Sequence, residues 1–151
     1  FSSVELSLSS EDTLMINAPL VCDETLQTND IARIYPDGSF TILGRKDNVI
    51  NSGGIKVQAE EIERLLQSSI PVPFVITSVP DRRLGQAVTL LIEGQMEISA
   101  LGTKLESVLA SYYRPKYIYT VNHIPQTGNG KINRKECRVL AESLQLLGRQ
   151  E

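Results

Sequence analysis

The chain has 151 residues, of which 41% are hydrophobic and 22% charged, so it can form one domain or a domain with an appendage. Its formal net charge of −3 argues against a basic nucleic-acid-binding surface. It also lacks an apolar run of the roughly 18 residues that a membrane span requires. Cys22, Cys137 and the single His123 lie too far apart for a zinc motif and fit free thiols in a reducing compartment. We therefore expect a cytoplasmic protein that binds neither nucleic acid nor membrane.

The first 46 residues are predicted to be rich in β-structure. Short strands are expected over residues 13–19, 31–35 and 39–43, the last two joined by the turn sequence Pro36-Asp37-Gly38. So short a segment cannot enclose a core by itself, and we expect it to pack against another part of a protein.

From about residue 47, single helices interrupt runs of strands. The pattern predicts a hairpin over residues 48–58, a helix over 59–67, strands over 73–79 and 87–92, a helix over 97–110, a strand over 117–121 and a helix over 134–147. This order predicts an α+β fold, a small antiparallel or mixed sheet flanked by about three helices.

The stretch PQTGNGKINRKE places Lys131 after Gly128 and Gly130, which suggests a phosphate-binding loop. A P-loop requires G-x-x-x-x-G-K followed by serine or threonine, whose hydroxyl holds magnesium. Here Ile132 follows the lysine, and Pro125 stands where the first glycine is needed. The sequence excludes a P-loop and leaves the lysine to be explained in another way.

Three more clusters are candidates for a site: Asp30 in TND, Arg45 and Asp47 in GRKD, and the turn SGG at residues 52–54. Taken singly, each has a simple structural explanation. Asp30 could cap a turn, Arg45 could form a solvated ion pair, and Lys131 could be an ordinary surface lysine.

The order TND, then GRKDNVINSGGIKVQAEEIE, then PQTGNGKINRKE resembles the C-terminal part of the adenylate-forming enzyme superfamily. This group includes acyl- and aryl-CoA ligases and the adenylation domains of peptide synthetases. The resemblance covers roughly residues 28–144. It implies that residues 1–46 are the β-rich tail of a larger N-terminal adenylation domain, and that residues 47–151 are a mobile C-terminal α+β domain. Because the phosphate loop and acid pocket of such enzymes lie in the N-terminal domain, we expect the isolated chain to be inactive for the full reaction.

The resemblance also implies roles for single residues. Asp30 would bind the ribose hydroxyls of ATP, because one carboxylate can accept two hydrogen bonds, and Arg45 would contact the nucleotide. Asp47 would be the hinge of the mobile domain. The residue before Asp30 is Asn29 where the family has glycine, which predicts a left-handed backbone there.

The remaining implied roles concern CoA and the reacting groups. Ser52, Gly53 and Gly54 would lie against the pantetheine arm of CoA, where a missing Cβ allows close approach. Lys131 would bridge the substrate carboxylate and the α-phosphate, on a loop that Gly128 and Gly130 allow to bend. No metal ligands are identified in the chain; magnesium would accompany ATP in the full-length enzyme.

These roles predict an ATP-dependent, AMP-forming ligase that joins a small carboxylic acid to CoA and changes its domain orientation between the two steps. The motif SGGIKVQAEEIE resembles that of the bacterial o-succinylbenzoate–CoA ligases of menaquinone biosynthesis. The absence of a carrier-protein segment after Glu151 also favours a CoA ligase. Two alternatives stay open: an amino-acid adenylation domain of a peptide synthetase, and a non-catalytic α+β binding module.

Overall fold

The computed structural model describes residues 3–149, which fall into two compact units divided between Val49 and Ile50. The first unit is a four-stranded antiparallel sheet whose strands are neighbours in chain order. Its strands are β1 (Glu5–Leu8), β2 (Thr13–Asn17), β3 (Leu26–Ile34) and β4 (Phe40–Arg45).

The strands of this sheet differ from the predicted ones in two places. β1 was not predicted, because ELSL is short and mostly exposed and gives no clear alternation. β3 begins five residues before the predicted strand and includes the TND motif, since it pairs with β2 on one side and β4 on the other. Leu26 and Gln27 pair with β2 and Asp30 pairs with β4, so pairing on one edge or the other extends the strand through residues of low β-propensity.

The core of the first unit is small. Within its described residues only Thr13, Leu14 and Ala32 are buried, whereas Leu20 and Val21 are 83% and 86% exposed. A thin core with large apolar side chains in solvent fits a segment that packs on another part of a protein, which stays a prediction.

The second unit is an α+β fold, as predicted. A 3-10 helix (Lys46–Asn48) leads to its hairpin. The elements that follow are β5 (Val49–Ser52), β6 (Ile55–Gln58), α1 (Ala59–Leu66), β7 (Phe74–Asp81), β8 (Gly85–Glu93), α2 (Ile98–Val108), a second 3-10 helix (Ser111–Tyr113), β9 (Tyr117–Val121) and α3 (Arg134–Arg149). Each predicted helix is confirmed within two residues at both ends.

Strand β8 is the centre of this five-stranded mixed sheet. It pairs along its length with antiparallel β7, with parallel β9 over Thr89–Glu93, and with β5 where Ser52 lies opposite Gly85. Its even-numbered residues pack with α1 and α2, and its odd-numbered residues pack with α3. Because both faces are covered, β8 is a continuous apolar run and not an alternating one.

Within residues 3–149, no helix has both the length and the apolar character needed to cross a membrane.

Candidate functional site

Lys131 lies in a short hairpin-like loop between β9 and α3. The amide of Thr127 donates to the Lys131 carbonyl at 2.7 Å, and the amide of Gly130 donates to the Thr127 carbonyl at 3.0 Å. Below this turn, the amide of Asn133 donates to the Pro125 carbonyl at 2.9 Å. These bonds on both sides of Lys131 hold its backbone in one conformation.

The side chain of Lys131 is exposed and, within the described part of the chain, makes no hydrogen bond or ion pair. The two glycines that were predicted to let this loop bend differ in backbone conformation, and the bending itself stays a prediction. Gly130 has φ of +80°, a left-handed conformation that favours glycine, whereas Gly128 is not among the glycines with positive φ. The loop therefore presents a free ammonium group on a defined backbone.

The C-terminal end of this loop is anchored through Arg134, the first residue of α3. Its Nη2 donates to Glu63 Oε1 at 2.6 Å and its Nη1 donates to Glu63 Oε2 at 3.1 Å, so the pairing is bidentate. The amide of Ile76 in β7 donates to the same Glu63 Oε2 at 2.8 Å. Burial by itself would lower the pKa of Arg134, but the hydrogen bonds and charge of Glu63 outweigh it and raise that pKa.

The structure brings Asp30 and Arg45 together. They lie opposite each other on β3 and β4, and Arg45 Nη1 donates to Asp30 Oδ1 at 2.9 Å. Their side chains are 32% and 54% exposed, so the pair faces solvent. The solvated ion pair considered for Arg45 from sequence is therefore present, and it joins the two residues predicted to bind nucleotide.

The predicted left-handed conformation of Asn29 is wrong. Among the described non-glycine residues, Asp12 alone has a positive φ, of 64°, and Asn29 continues the extended strand β3. Asn29 lies between Gln27, which pairs with β2, and Asp30, which pairs with β4, and its backbone stays extended without a glycine.

Asp47 lies in the single-turn 3-10 helix Lys46–Asn48, just before the division between the two units. Its side chain is exposed. The neighbouring Lys46 forms an ion pair with Glu11 of the first unit. The predicted hinge residue thus occupies a short, solvent-exposed connection.

The glycine turn between β5 and β6 is confirmed. Gly53 and Gly54 have φ of +59° and +83°, and a two-residue hairpin turn of type I′ requires positive φ at both positions. The Gly53 amide donates to the Leu84 carbonyl at 2.9 Å, which ties the turn to the β7–β8 connection. A groove of about 250 Å³ lies beside the turn and is lined by Ser52, Gly53, Ile55, Leu84, Val88, Ser111, Tyr112, Arg114 and Lys116.

Two cations of this groove, Arg114 and Lys116, were missed from sequence, because they lie between the helix predicted over 97–110 and the strand predicted over 117–121. Lys116 Nζ donates to Asp81 Oδ2 at 2.6 Å, and the Asp81 side chain is 4% exposed. Arg114 donates through Nε to the Leu109 carbonyl at 3.0 Å, at the end of α2. Proximity to a glycine turn is a property of the folded sheet, and no spacing in the sequence indicates it.

The Asp81 carboxylate also accepts the amides of Arg83 and Leu84 at 2.9 and 3.0 Å. The hydrogen bond from Lys116, followed by that from the Leu84 amide, lowers the pKa of Asp81 to about 2. The same contact with Asp81 raises the pKa of Lys116. Lys116 is therefore a stably charged group at the edge of the groove.

The predicted site residues thus occupy four places: the Asp30–Arg45 pair and the predicted hinge residue Asp47 in the first unit, and the glycine turn and the Lys131 loop in the second. Within residues 3–149, no group of three or more His, Cys, Asp and Glu side chains is arranged to hold a metal ion.

Comparison with known proteins gives a consistent set of relatives, although no protein-family model matches the chain. Over 126 residues the chain is 38% identical to Triostin synthetase I of Streptomyces triostinicus, which covers 80% of the chain and 24% of that relative. Over 113 residues it is 33% identical to the 2-succinylbenzoate–CoA ligase of Lactococcus lactis subsp. lactis, which covers 74% of the chain and 25% of that relative.

A solved structure, an acyl-CoA synthetase (AMP-forming)/AMP-acid ligase II-like protein from Dyadobacter fermentans, matches at 29% identity with a TM-score of 0.59. This match covers 89% of the chain and 41% of that protein. AMP-forming acyl- and aryl-CoA ligases therefore recur among the relatives and structural neighbours. The chain spans about a quarter of the length of the curated relatives it matches, at 24% and 25%.

Proposed function

We propose that this chain is the C-terminal part of an ATP-dependent, AMP-forming acid–CoA ligase, to which it contributes the catalytic Lys131. In the first half-reaction a carboxylate and ATP give acyl-AMP and pyrophosphate; in the second, the CoA thiol displaces AMP. The observation that carries the proposal is an exposed lysine without a partner in the described residues, held on a hydrogen-bonded loop. The names of the relatives supply the reaction class.

The first half-reaction explains what an unpaired lysine would do. A carboxylate oxygen attacks the α-phosphorus of ATP, a new P–O bond forms, and the bond to pyrophosphate breaks. Two anions approach each other and negative charge increases on the phosphorus oxygens, so an ammonium group between them lowers the barrier. Removing one preorganised donor of this kind typically costs about 10²–10³ in rate.

Asp30 and Arg45 are proposed to hold the nucleotide. Because Arg45 Nη1 already contacts Asp30 Oδ1 at 2.9 Å, the two side chains form one exposed charged unit. The carboxylate of this unit can accept hydrogen bonds from ribose hydroxyls, and the guanidinium group can donate to ribose or phosphate oxygens. Magnesium would enter with ATP; no residues of this chain are proposed as its ligands.

The glycine turn and its groove are proposed to take CoA in the second half-reaction. Gly53 and Gly54 are both exposed and carry no Cβ, so the extended pantetheine arm can lie against their backbone. Arg114 and Lys116 line the same groove. Two cations beside an open turn favour a thiol that carries phosphates, which is the chemistry of CoA.

The two half-reactions need different groups at one site, so we propose that residues 47–151 form a mobile domain that turns about Asp47. Residues 1–46 would then remain with a larger N-terminal adenylation domain as its β-rich tail. Rotation would withdraw Lys131 after acyl-AMP formation and bring the glycine turn to the place where the CoA thiol attacks acyl-AMP. Asp47→Pro should restrict the backbone of the hinge and slow thioester formation while sparing adenylation; an unchanged second step would contradict the hinge.

For the acid, we propose o-succinylbenzoate, and hence a role in menaquinone biosynthesis in the cytoplasm, where ATP and CoA are available. The 33% identity to a 2-succinylbenzoate–CoA ligase supports this choice. The second candidate is an amino-acid adenylation domain of a peptide synthetase, which is supported by 38% identity to a relative named a synthetase and not a CoA ligase. Pyrophosphate exchange with o-succinylbenzoate and with amino acids, followed by thioester assay with CoA, separates the two.

The test of the whole proposal is Lys131→Ala in the full-length enzyme, measured separately in each half-reaction. We expect acyl-AMP formation to fall by about 10²–10³, while thioester formation from supplied acyl-AMP is unchanged. Lys135→Ala is the matched control, because Lys135 is an exposed lysine four residues further along, on α3. It should leave both rates at the wild-type value. Equal losses in both half-reactions, or no loss in either, would refute the assignment of Lys131, whereas the absence of both activities from the wild-type protein would favour a non-catalytic module.

A further inference from the structure

We infer that Glu63 and Arg134 act as a positioning pair that fixes the Lys131 loop for adenylation; this inference rests on the proposed function. Neither residue would touch substrate. Their role would be to keep the attachment point of the loop in one place, so that the Lys131 ammonium group reaches the reacting anions in a reproducible position.

The first argument is the geometry of the pair. Arg134 and Glu63 make two parallel contacts, Nη2 to Oε1 at 2.6 Å and Nη1 to Oε2 at 3.1 Å, and a two-point contact fixes direction as well as distance. Their side chains are only 27% and 16% exposed, so water screens the pair less than a surface ion pair. Glu63 itself is held by the Ile76 amide of β7 at 2.8 Å. The pair therefore joins α1, the central sheet and the start of α3.

The second argument is the short path from Arg134 to Lys131. Only Ile132 and Asn133 separate them. The Asn133 side chain accepts the Glu136 amide at 3.2 Å and so caps α3, while the Asn133 amide donates to the opposite side of the loop. A shift of Arg134 is consequently transmitted to Lys131 through Ile132, which lies opposite Gln126, and Asn133, which is hydrogen-bonded on both sides.

The third argument is that little apolar packing holds this side of the loop. Two open grooves of about 330 and 290 Å³ meet here, and both are lined by Ile132, Gln67 and Phe74. Ile132 is 37% exposed although it is apolar. With open space beside the residue that follows Lys131, packing of Ile132 does not replace the restraint that the ion pair gives to the end of the loop.

These arguments predict a specific kinetic defect. Without the pair the loop would still form, because its backbone hydrogen bonds lie within residues 125–133, but it would sample more orientations. Lys131 would be in place for a smaller fraction of the time. Displacing a catalytic group by about 1 Å can cost up to about 10²-fold in rate. The rate constant of adenylation should therefore fall, while the affinity for ATP, which the proposed function assigns to other groups, should not.

The experiment uses the full-length enzyme with Arg134→Gln, Glu63→Gln, the double variant and Arg134→Lys. We expect Arg134→Gln to lower kcat for acyl-AMP formation by about tenfold to 100-fold. The KM for ATP and the rate of thioester formation from supplied acyl-AMP should stay within about twofold of wild type. The double variant should be no slower than either single one, because both remove the same interaction. Arg134→Lys, which keeps the charge but not the fork, should recover part of the rate.

Arg138→Gln is the control, because Arg138 is an exposed arginine one turn further along α3, and it should behave as wild type. Lys131→Ala is measured in parallel. If Lys131→Ala blocks adenylation and Arg134→Gln does not, the positioning role is wrong and the proposed function stands. If Arg134→Gln lowers both half-reactions equally, the pair is only structural and the inference is likewise overturned. If Lys131→Ala has no effect, the proposed function itself fails.

Discussion

In the glycine turn between β5 and β6, a glycine-to-alanine substitution can lower stability in two ways, through backbone strain at a positive φ and through steric clash of the added methyl group. Gly54 has φ of +83°, and a Cβ built on it would meet no atom within 4 Å. Gly54→Ala therefore costs no steric clash, and its whole effect arises from placing an L-residue in the left-handed region. That placement costs roughly 1–2 kcal/mol, of which about 0.4–1 kcal/mol is offset by the lower entropy of the unfolded chain. The expected net destabilisation is about 1 kcal/mol.

Substitutions at two other glycines, Gly53 and Gly102, serve as comparisons for Gly54→Ala. At Gly53, with φ of +59°, a Cβ would lie 3.1 Å from the Leu84 Cδ2 methyl group, so Gly53→Ala should cost slightly more than Gly54→Ala. The leucine side chain can move, which keeps the difference small. Gly102 lies inside α2 with no atom within 4 Å of a built Cβ. Gly102→Ala should therefore stabilise the protein by about 0.5–1 kcal/mol, because glycine is a poor helix former.

Urea unfolding followed by tyrosine fluorescence measures these differences. The chain has no tryptophan and five tyrosines, and all of these except Tyr35 lie in the second unit, so the signal reports mainly on the unit that carries the substitutions. The midpoints of Gly54→Ala and Gly102→Ala should move in opposite directions at unchanged m-value. If both substitutions raised the midpoint, the positive φ at residue 54 would be unnecessary and the assigned turn would be wrong.

Three further predictions concern other side chains. The pKa of Asp81 is lowered from 3.8 to about 2, so the stability it contributes should be present above about pH 3.8 and lost as pH falls towards 2; Asp81→Asn should flatten this part of the pH profile of urea unfolding. Asn133→Ala removes the cap of α3 and should cost about 1 kcal/mol in the same assay, whereas Asn133→Asp should cost less. Burial raises the pKa of the Cys137 thiol to about 11, so a thiol reagent at pH 8 should label Cys22 in the native protein and reach Cys137 only after unfolding; rapid labelling of both would contradict that burial.

The elements that were predicted well are those whose residues give a clear local pattern in the sequence. Helix α3 was expected to begin at Arg134 and does, and β9 matches its predicted limits, Tyr117–Val121. Helix α3 buries Cys137, Ala141 and Gln145, which lie four residues apart on one face, and β9 is a run of aromatic and β-branched residues. The glycine turn was also predictable, because few residues other than glycine tolerate two successive positive φ angles.

The features that were missed depend on pairs of residues distant in sequence. Glu63 and Arg134 are 71 positions apart, and Lys116 and Asp81 are 35 apart. In the sequence, Glu63 lies within the predicted helix 59–67 and Lys116 lies between a predicted helix and a predicted strand, and neither was given a role. A charged side chain gives no periodic signal that identifies its partner. Which charges meet is decided by the register of β7, β8 and β9, which brings α1, α3 and the loops together.

Lys131 differs from the other cations that line the candidate sites in having no ion-pair partner among the described residues. Arg45, Lys116 and Arg134 each form an ion pair with a carboxylate within the described residues. Hydrogen bonds hold the backbone at Lys131, yet its ammonium group has no carboxylate partner in the described part of the chain. Holding a loop in place reduces its conformational entropy, and the folded domain gains no ion pair from Lys131 in return. An anionic ligand is the partner that would make this arrangement favourable, and a reacting carboxylate and phosphate supply two such anions.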